Sequence, residues 1–235
     1  MTTFTPLIMG VINVLVEILI GVASQFTRPL NETMNVIHSI TGITFIQLIN
    51  MGLLLIFVSI SFHFNILGFT NPPGILEGSF LDFTSPWYTK YGTQIVFTFV
   101  VEIAIPHGVP LLLIIVFSIW RCSDRSCTRD RRKTKQLLQT SYEQLYTGPE
   151  FMLENRLAQI IALTWCAFMF STCMPVIILV TFFNFLAMYW IDKFLVLRFY
   201  RTPKNWDEET ITYSLSMLKW TFLFHLLMGE IMLSY

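Results

Sequence analysis

Charge is what this 235-residue sequence has least of. Asp, Glu, Lys and Arg make up 13% of it, about half the share of an average soluble domain. So few charged residues could not cover a globular surface, which excludes a soluble enzyme or a disordered tail. The 15 basic and 15 acidic residues cancel, so the net charge gives no reason to expect a nucleic-acid binder. Cysteine is scarce as well, and four residues make no disulfide scaffold. Cys122 and Cys127, in the run CSDRSC, have no second Cys or His pair nearby to complete a zinc site, and Cys166 and Cys173 read as small apolar residues on one helix face. Gly-x-Ser-x-Gly, His-Glu-x-x-His, a phosphate-cradling glycine loop and CxxCH are all missing, so no enzyme is expected. What abounds is hydrophobic sequence, 54% of the chain with 22 phenylalanines. The expected class is an all-α integral membrane protein.

A crossing needs about 20 mostly apolar residues. Six stretches qualify, at 7–24, 43–61, 95–120, 157–173, 176–190 and 213–233. The third is interrupted by Pro106-His107-Gly108-Val109-Pro110, where a proline would locally break or bend a helix. The fourth and fifth form one apolar run, too long for a single crossing, which folds at the Cys173-Met174-Pro175 corner. A basic loop at 121–150 carries Arg121, Arg125, Arg129, Arg131, Arg132, Lys133 and Lys135. Lys193, Arg198, Arg201, Lys204, Lys219 and Arg28 fall on the same side of six alternating spans, with only Lys90 opposite. The positive-inside rule makes that side cytoplasmic. The loop at 62–92 is then extracellular or luminal, an ordered lid with Trp87, Tyr88 and Tyr91 near the lipid interface. Arg129, Arg131, Arg132 and Lys133 are candidate contacts for anionic lipid headgroups. The sequon Asn31-Glu32-Thr33 falls on the cytoplasmic side and is read as unused; a glycan there would invert the topology.

Acids at bilayer depth face a bundle interior or a watery path, because lipid exposure costs several kcal/mol. Glu102 is the most informative, four residues before Pro106. It either lines a polar path or is held by a hydrogen bond to a neighbouring helix. Asp192 ends the fifth span beside Lys193 and also reads as a solvated interfacial acid; Glu17 and Glu230 have weaker claims. His107 and His225 are read as packing or hydrogen-bonding residues, and Asn13, Gln47, Asn50 and Asn184 as polar links between helices.

The run GTQIVFTFVVEIAIP, from Gly92 to Pro106, resembles the pore helix of the anoctamin family, whose members conduct ions or scramble phospholipids under calcium control as dimers. In that family a hinge glycine precedes a calcium-ligating glutamate by ten residues and a proline follows it by four; Gly92, Glu102 and Pro106 keep these intervals. Pro175 corresponds to the family's corner proline and Asp192 to its last calcium ligand, while DKFLVLRFYRTP (Asp192 to Pro203) resembles the family's exit into a basic segment. INVLVEILIGVASQFTRPLNE and FIQLIN are similar to the two preceding helices. The resemblance implies Gly92 and Pro106 as hinge or gate, Glu102 and Asp192 as cation ligands, calcium as the one candidate cofactor, and a homodimer. The chain departs from the family at Thr98, Arg156, Gln159 and Met188, where other calcium ligands are expected; Glu150 and Glu154 serve if the loop aligns differently. Two carboxylates make a poor calcium site, and Arg156 would repel the ion or replace it by pairing with an acid. The osmosensitive OSCA and transmembrane channel-like families share the helix arrangement and open by tension. Against the anoctamins' length, the chain is expected to be a shortened relative or part of a longer protein. The expected function is an ion channel or phospholipid scramblase, most simply of the plasma membrane, with a non-conducting accessory subunit of a larger membrane complex as the alternative.

Overall fold

The computed structural model describes residues 4–26, 31–59, 80, 82–128, 130, 133–201 and 207–234, and every regular element among them is helical. Helix α1 spans Phe4–Phe26. Helix α2 runs Glu32–Ser59, and its turn Ile49–Leu53 is π-helical. Helix α3 runs Ser85–Asp124, with a second π-helical turn at Tyr88–Gly92. The rest are α4 (Gln139–Thr147), α5 (Leu153–Ser171), α6 (Val176–Arg198), α7 (Glu208–Leu218) and α8 (Trp220–Leu233).

The starts follow local chemistry. Asn31 and Asp207 are extended residues ahead of Glu32 and of Glu208-Glu209, acids suited to the positive end of a helix dipole. Pro86 sits in the first turn of α3, where its missing N–H costs nothing. Pro175 opens α6 directly after α5, so the long apolar run folds at the corner expected for it.

Helices α2, α3 and α6 are each long and apolar enough to cross a membrane. At 40 residues α3 measures about 60 Å and extends well past a hydrocarbon layer. Helix α1 contains a shorter apolar stretch, Gly10–Ile20, and α5 has 19 residues with Glu154 and Arg156 in its first turn. The last expected span is divided at Lys219 into α7 and α8.

Two expectations change. Helix α3 continues through Pro106 and Pro110 instead of breaking. Each proline removes one N–H, which leaves the carbonyls of Glu102 and Pro106 without their helical donors but keeps the turns. Trp87, expected near the lipid interface, does not face lipid. It is fully buried, donates from Nε1 to Ser59 Oγ at 2.8 Å, and packs edge-on against Phe83 and Tyr88. Positions 62–79 and 81 of the expected lid lie outside the described residues.

Helix α5 is the most enclosed element, with Ala158, Ala162, Leu163, Cys166 and Phe170 fully buried. It packs against α2, α6, α7 and α8. Helix α1 packs on α2 and α3, and α3 packs on α6. The contacts α5–α2–α1–α3–α6–α5 close a ring of five helices, with α7 outside it against α2 and α5 and α8 against α5. Gly10 lets α1 and α3 meet closely, since a Cβ there would fall 2.6 Å from Ile105 Cδ1.

Cys122 and Cys127, read from sequence as loop residues, form a disulfide at the end of α3, with Cα atoms 4.5 Å apart. Inside this loop Asp124 accepts from Thr134 Oγ1 (2.9 Å), the Lys135 backbone N–H (3.0 Å) and the Tyr146 hydroxyl (3.0 Å). Arg121 donates to the carbonyls of Leu145 and Tyr146, and Arg125 to the Tyr146 hydroxyl. The basic loop is thus tied to α4 by Asp124 and two arginines.

Candidate functional site

Two polar stations occupy the interior of the ring. The first centres on Glu102 of α3, 1% exposed. Asn13 of α1 donates from Nδ2 to Glu102 Oε1 at 2.5 Å, and Asn50 of α2 donates from Nδ2 to Asn13 Oδ1 at 2.5 Å. Three helices are linked through one carboxyl and two amides. Asn50 stands in the π-helical turn, and Cys166 of α5 faces the same carboxyl. Thr98, one turn before Glu102, spends its hydroxyl on the Gln94 carbonyl at 2.9 Å.

The second station lies about one turn further along α3. His107 is 2% exposed, and Asn184 of α6 lies beside its ring within hydrogen-bonding reach. Beyond that mutual contact, the buried ring nitrogens of His107, the amide atoms of Asn184 and Nε2 of Gln159 lack well-formed protein hydrogen bonds. Each unsatisfied group of this kind costs about 1–3 kcal/mol. A cluster of under-partnered buried polar atoms is the kind of site that water or a small ion fills.

Arg156 stands at the rim of this station. It donates to Gln159 Oε1 at 3.0 Å and pairs with Asp192 Oδ1 at 3.0 Å, both side chains being mostly buried. A cavity of about 200 Å³ leads inward here between Val14, Pro106, Pro110, Gln159, Arg156 and Tyr200. Burial pushes the Tyr200 phenol above its ordinary value, with Arg156 opposing the shift and Asp192 adding to it.

Glu102 and Asp192 are therefore not brought together around one ion. Glu102 accepts from Asn13, which Asn50 holds in turn, and Asp192 pairs with an arginine. Among the described residues no group of three or more His, Cys, Asp or Glu side chains could hold a metal. Met188 is buried, and Glu150 pairs with Arg201. Gly92 lies where α3 approaches the α5–α6 corner, a Cβ there falling 3.1 Å from Met174 Sδ, and Pro106 lines the inner cavity. Lys133 is exposed; Arg129, Arg131 and Arg132 lie outside the described residues, as does the side chain of Glu17. Glu230 is exposed, and His225 lies 2.9 Å from the Phe168 carbonyl and 3.2 Å from Ser171 Oγ, consistent with a hydrogen-bonding role.

Sequence reasoning treated His107 and Asn184 separately and did not join them to Gln159. Spacing alone does not join them: His107 lies five residues beyond Glu102, about 140° further around α3. No family model, no curated protein and no solved structure matches the chain.

Proposed function

We propose that the five-helix ring is a conduit for small ions, with the Glu102 and His107–Asn184–Gln159 stations along its path and Arg156–Asp192 at one mouth. The observation that carries this reading is the buried polar cluster His107–Asn184–Gln159 between α3, α5 and α6, which has more polar atoms than hydrogen bonds. Buried amides and an imidazole short of partners are costly in a sealed core and favourable beside water or a moving ion. Because the ring is closed, this favours ion passage over lipid scrambling, which needs a polar groove open to the bilayer. The reading takes α1, α5 and α7–α8 as further crossings, six in all, arranged as a homodimer in the plasma membrane with the basic loops cytoplasmic. This reading puts Asn31 and the Cys122–Cys127 bond on the cytoplasmic side, where the bond counts against it, because disulfides are rare in the reducing cytosol. A glycan found on Asn31 in cells would reverse the sidedness without touching the conduit.

The test is reconstitution into liposomes, following ion leak and fluorescent-lipid scrambling together. The expected result is ion leak without scrambling, changed several-fold by Glu102→Gln at unaltered insertion. Scrambling without ion leak, or leak indifferent to E102Q, would remove Glu102 from the path.

The second reading is a non-conducting subunit that has kept the helix arrangement and lost the cation site. The pairing of Asp192 with Arg156 favours it. Silence in both assays, from folded and inserted protein that copurifies with a larger assembly, would establish it. Among the described residues no group of three or more His, Cys, Asp or Glu side chains could hold a metal, and calcium wants six to eight oxygens. Millimolar calcium is expected to leave the thermal unfolding midpoint of the detergent-solubilised protein unchanged; a rise of several degrees abolished by Asp192→Asn would overturn this.

A further inference from the structure

A second cavity lies on the outer face of the ring, between the first half of α5 and the last half of α6. It is a groove of about 550 Å³ with Ile160, Phe185 and Met188 along its length and Arg156, Asp192 and Lys193 at one end. Its two ends differ in chemistry. Phe185 precedes Lys193 by eight residues, so the apolar floor and the charged end are about 12 Å apart along α6. The outward face of α6 beside it is bare and apolar, with Leu179, Phe182, Phe183 and Leu186 all exposed. Tyr189 and Trp190 follow, the aromatic residues that settle at the boundary between hydrocarbon and headgroups. The charged end of the groove therefore sits at headgroup level and its floor at acyl-chain depth.

Its charge balance selects the ligand. Asp192 is neutralised by Arg156 at 3.0 Å, which leaves Lys193 to set the sign. Lys193 is exposed, with Nζ 3.5 Å from the Tyr189 hydroxyl and 5.4 and 5.6 Å from the Tyr189 and Trp190 ring centres. It is held in place by aromatic faces with its charge directed to the groove end.

We infer that this groove is a binding site for one anionic phospholipid, its headgroup on Lys193 beside Arg156 and an acyl chain along Ile160, Phe185 and Met188. Only an amphiphile matches an apolar channel ending in a net positive charge, and the bilayer around α6 supplies it. Arg156 lines both this groove and the inner cavity, so the lipid headgroup rests against the guanidinium that forms the mouth of the ring. The site stands outside the polar interior, so lipid retention can be tested apart from ion passage.

The experiment is native mass spectrometry of the detergent-purified full chain, titrated in parallel with phosphatidylserine and phosphatidylcholine of identical acyl chains. One lipid adduct is expected, with phosphatidylserine preferred about five-fold, the factor that about 1 kcal/mol for one lysine near a headgroup corresponds to. Lys193→Gln is expected to abolish the preference, and Met188→Trp, which fills the groove, to remove the adduct with both lipids. Lys219→Gln is the control, since Lys219 also lies over a tryptophan ring, 6.0 Å from the centre of Trp220, but lines neither of these cavities; the preference is expected to survive it. Equal binding of the two lipids by the unaltered chain, an adduct indifferent to both K193Q and M188W, or loss of the preference in K219Q would each overturn the assignment. Circular dichroism and gel filtration of every variant confirm that a lost adduct is not a lost fold.

Discussion

Replacing Arg156 by leucine is expected to destabilise the protein by about 3–5 kcal/mol, the cost of leaving a mostly buried carboxylate without its cation. The Arg156–Asp192 pair links α5 to α6 with side chains only 12% and 16% exposed, and Gln159 uses its carbonyl oxygen on the same guanidinium. Removing Arg156 therefore strips a partner from a charge and from an amide together. Removing both charges as R156L/D192L is expected to cost far less, because two leucines can pack where the pair stood and nothing charged remains inside. Thermal unfolding of the three proteins in one detergent, followed by tryptophan fluorescence, decides it. Equal losses in the single and double variants would mean the pair is solvated and contributes little. The double variant also opens the electrostatic mouth of the ring, so a raised ion leak at near-normal stability is its expected phenotype in liposomes.

Gly148→Ala is expected to be nearly as damaging, although no core side chain is touched. Gly148 has φ +79°, and a Cβ there would lie 2.3 Å from the backbone carbonyl oxygen of Phe199. The left-handed backbone alone costs a non-glycine residue about 1–3 kcal/mol, and the clash adds to it because a backbone atom cannot swing aside. The segment is pinned: the Arg201 N–H donates to the Pro149 carbonyl at 3.1 Å, and Glu150 pairs with Arg201. Gly108 supplies the contrast. It lies in α3 between the two prolines, and a Cβ there meets nothing within 4 Å. Gly108→Ala is expected to stabilise the helix by about 0.5–1 kcal/mol. If G148A and G108A melt alike, the tight contact at Phe199 is not present in solution.

What could be read in advance, and what could not, follows from the range of each interaction. The helical class, the corner at Pro175 and the burial of Glu102 are local or compositional, and each is visible along the chain. That Asn13 and Asn50 link helices was expected from the cost of amides in lipid. That they link to each other and to Glu102 depends on how three helices rotate against one another, which periodicity does not report. The prolines of α3 left break or bend open for a related reason, and the helix does not break. A proline removes one hydrogen bond, but neighbouring helices hold the turns in line. The bond between Cys122 and Cys127 needed a chain reversal with Ser126 and Cys127 at positive φ, an uncommon backbone that nothing in CSDRSC announces. The reading of Trp87 failed because an aromatic beside a glycine-rich loop looks interfacial until Ser59 is found to accept its N–H.

The wide turn at Ile49–Leu53 bears on how this sequence would be lined up with any other. A π-helical turn spends an extra residue on one revolution, so it behaves as a one-residue insertion inside a regular helix. A related chain without it would carry one residue fewer between Leu48 and Leu54, and every position beyond would be shifted by about 100° in phase unless that gap were opened. Asn50 stands inside the extra turn, so its partnership with Asn13 exists only in the lengthened form. Deleting one residue from this turn would move Asn50 off the interior face while leaving composition and hydropathy almost untouched. The feature that holds Glu102 in its network is thus a matter of counting, invisible to any profile built on residue type alone.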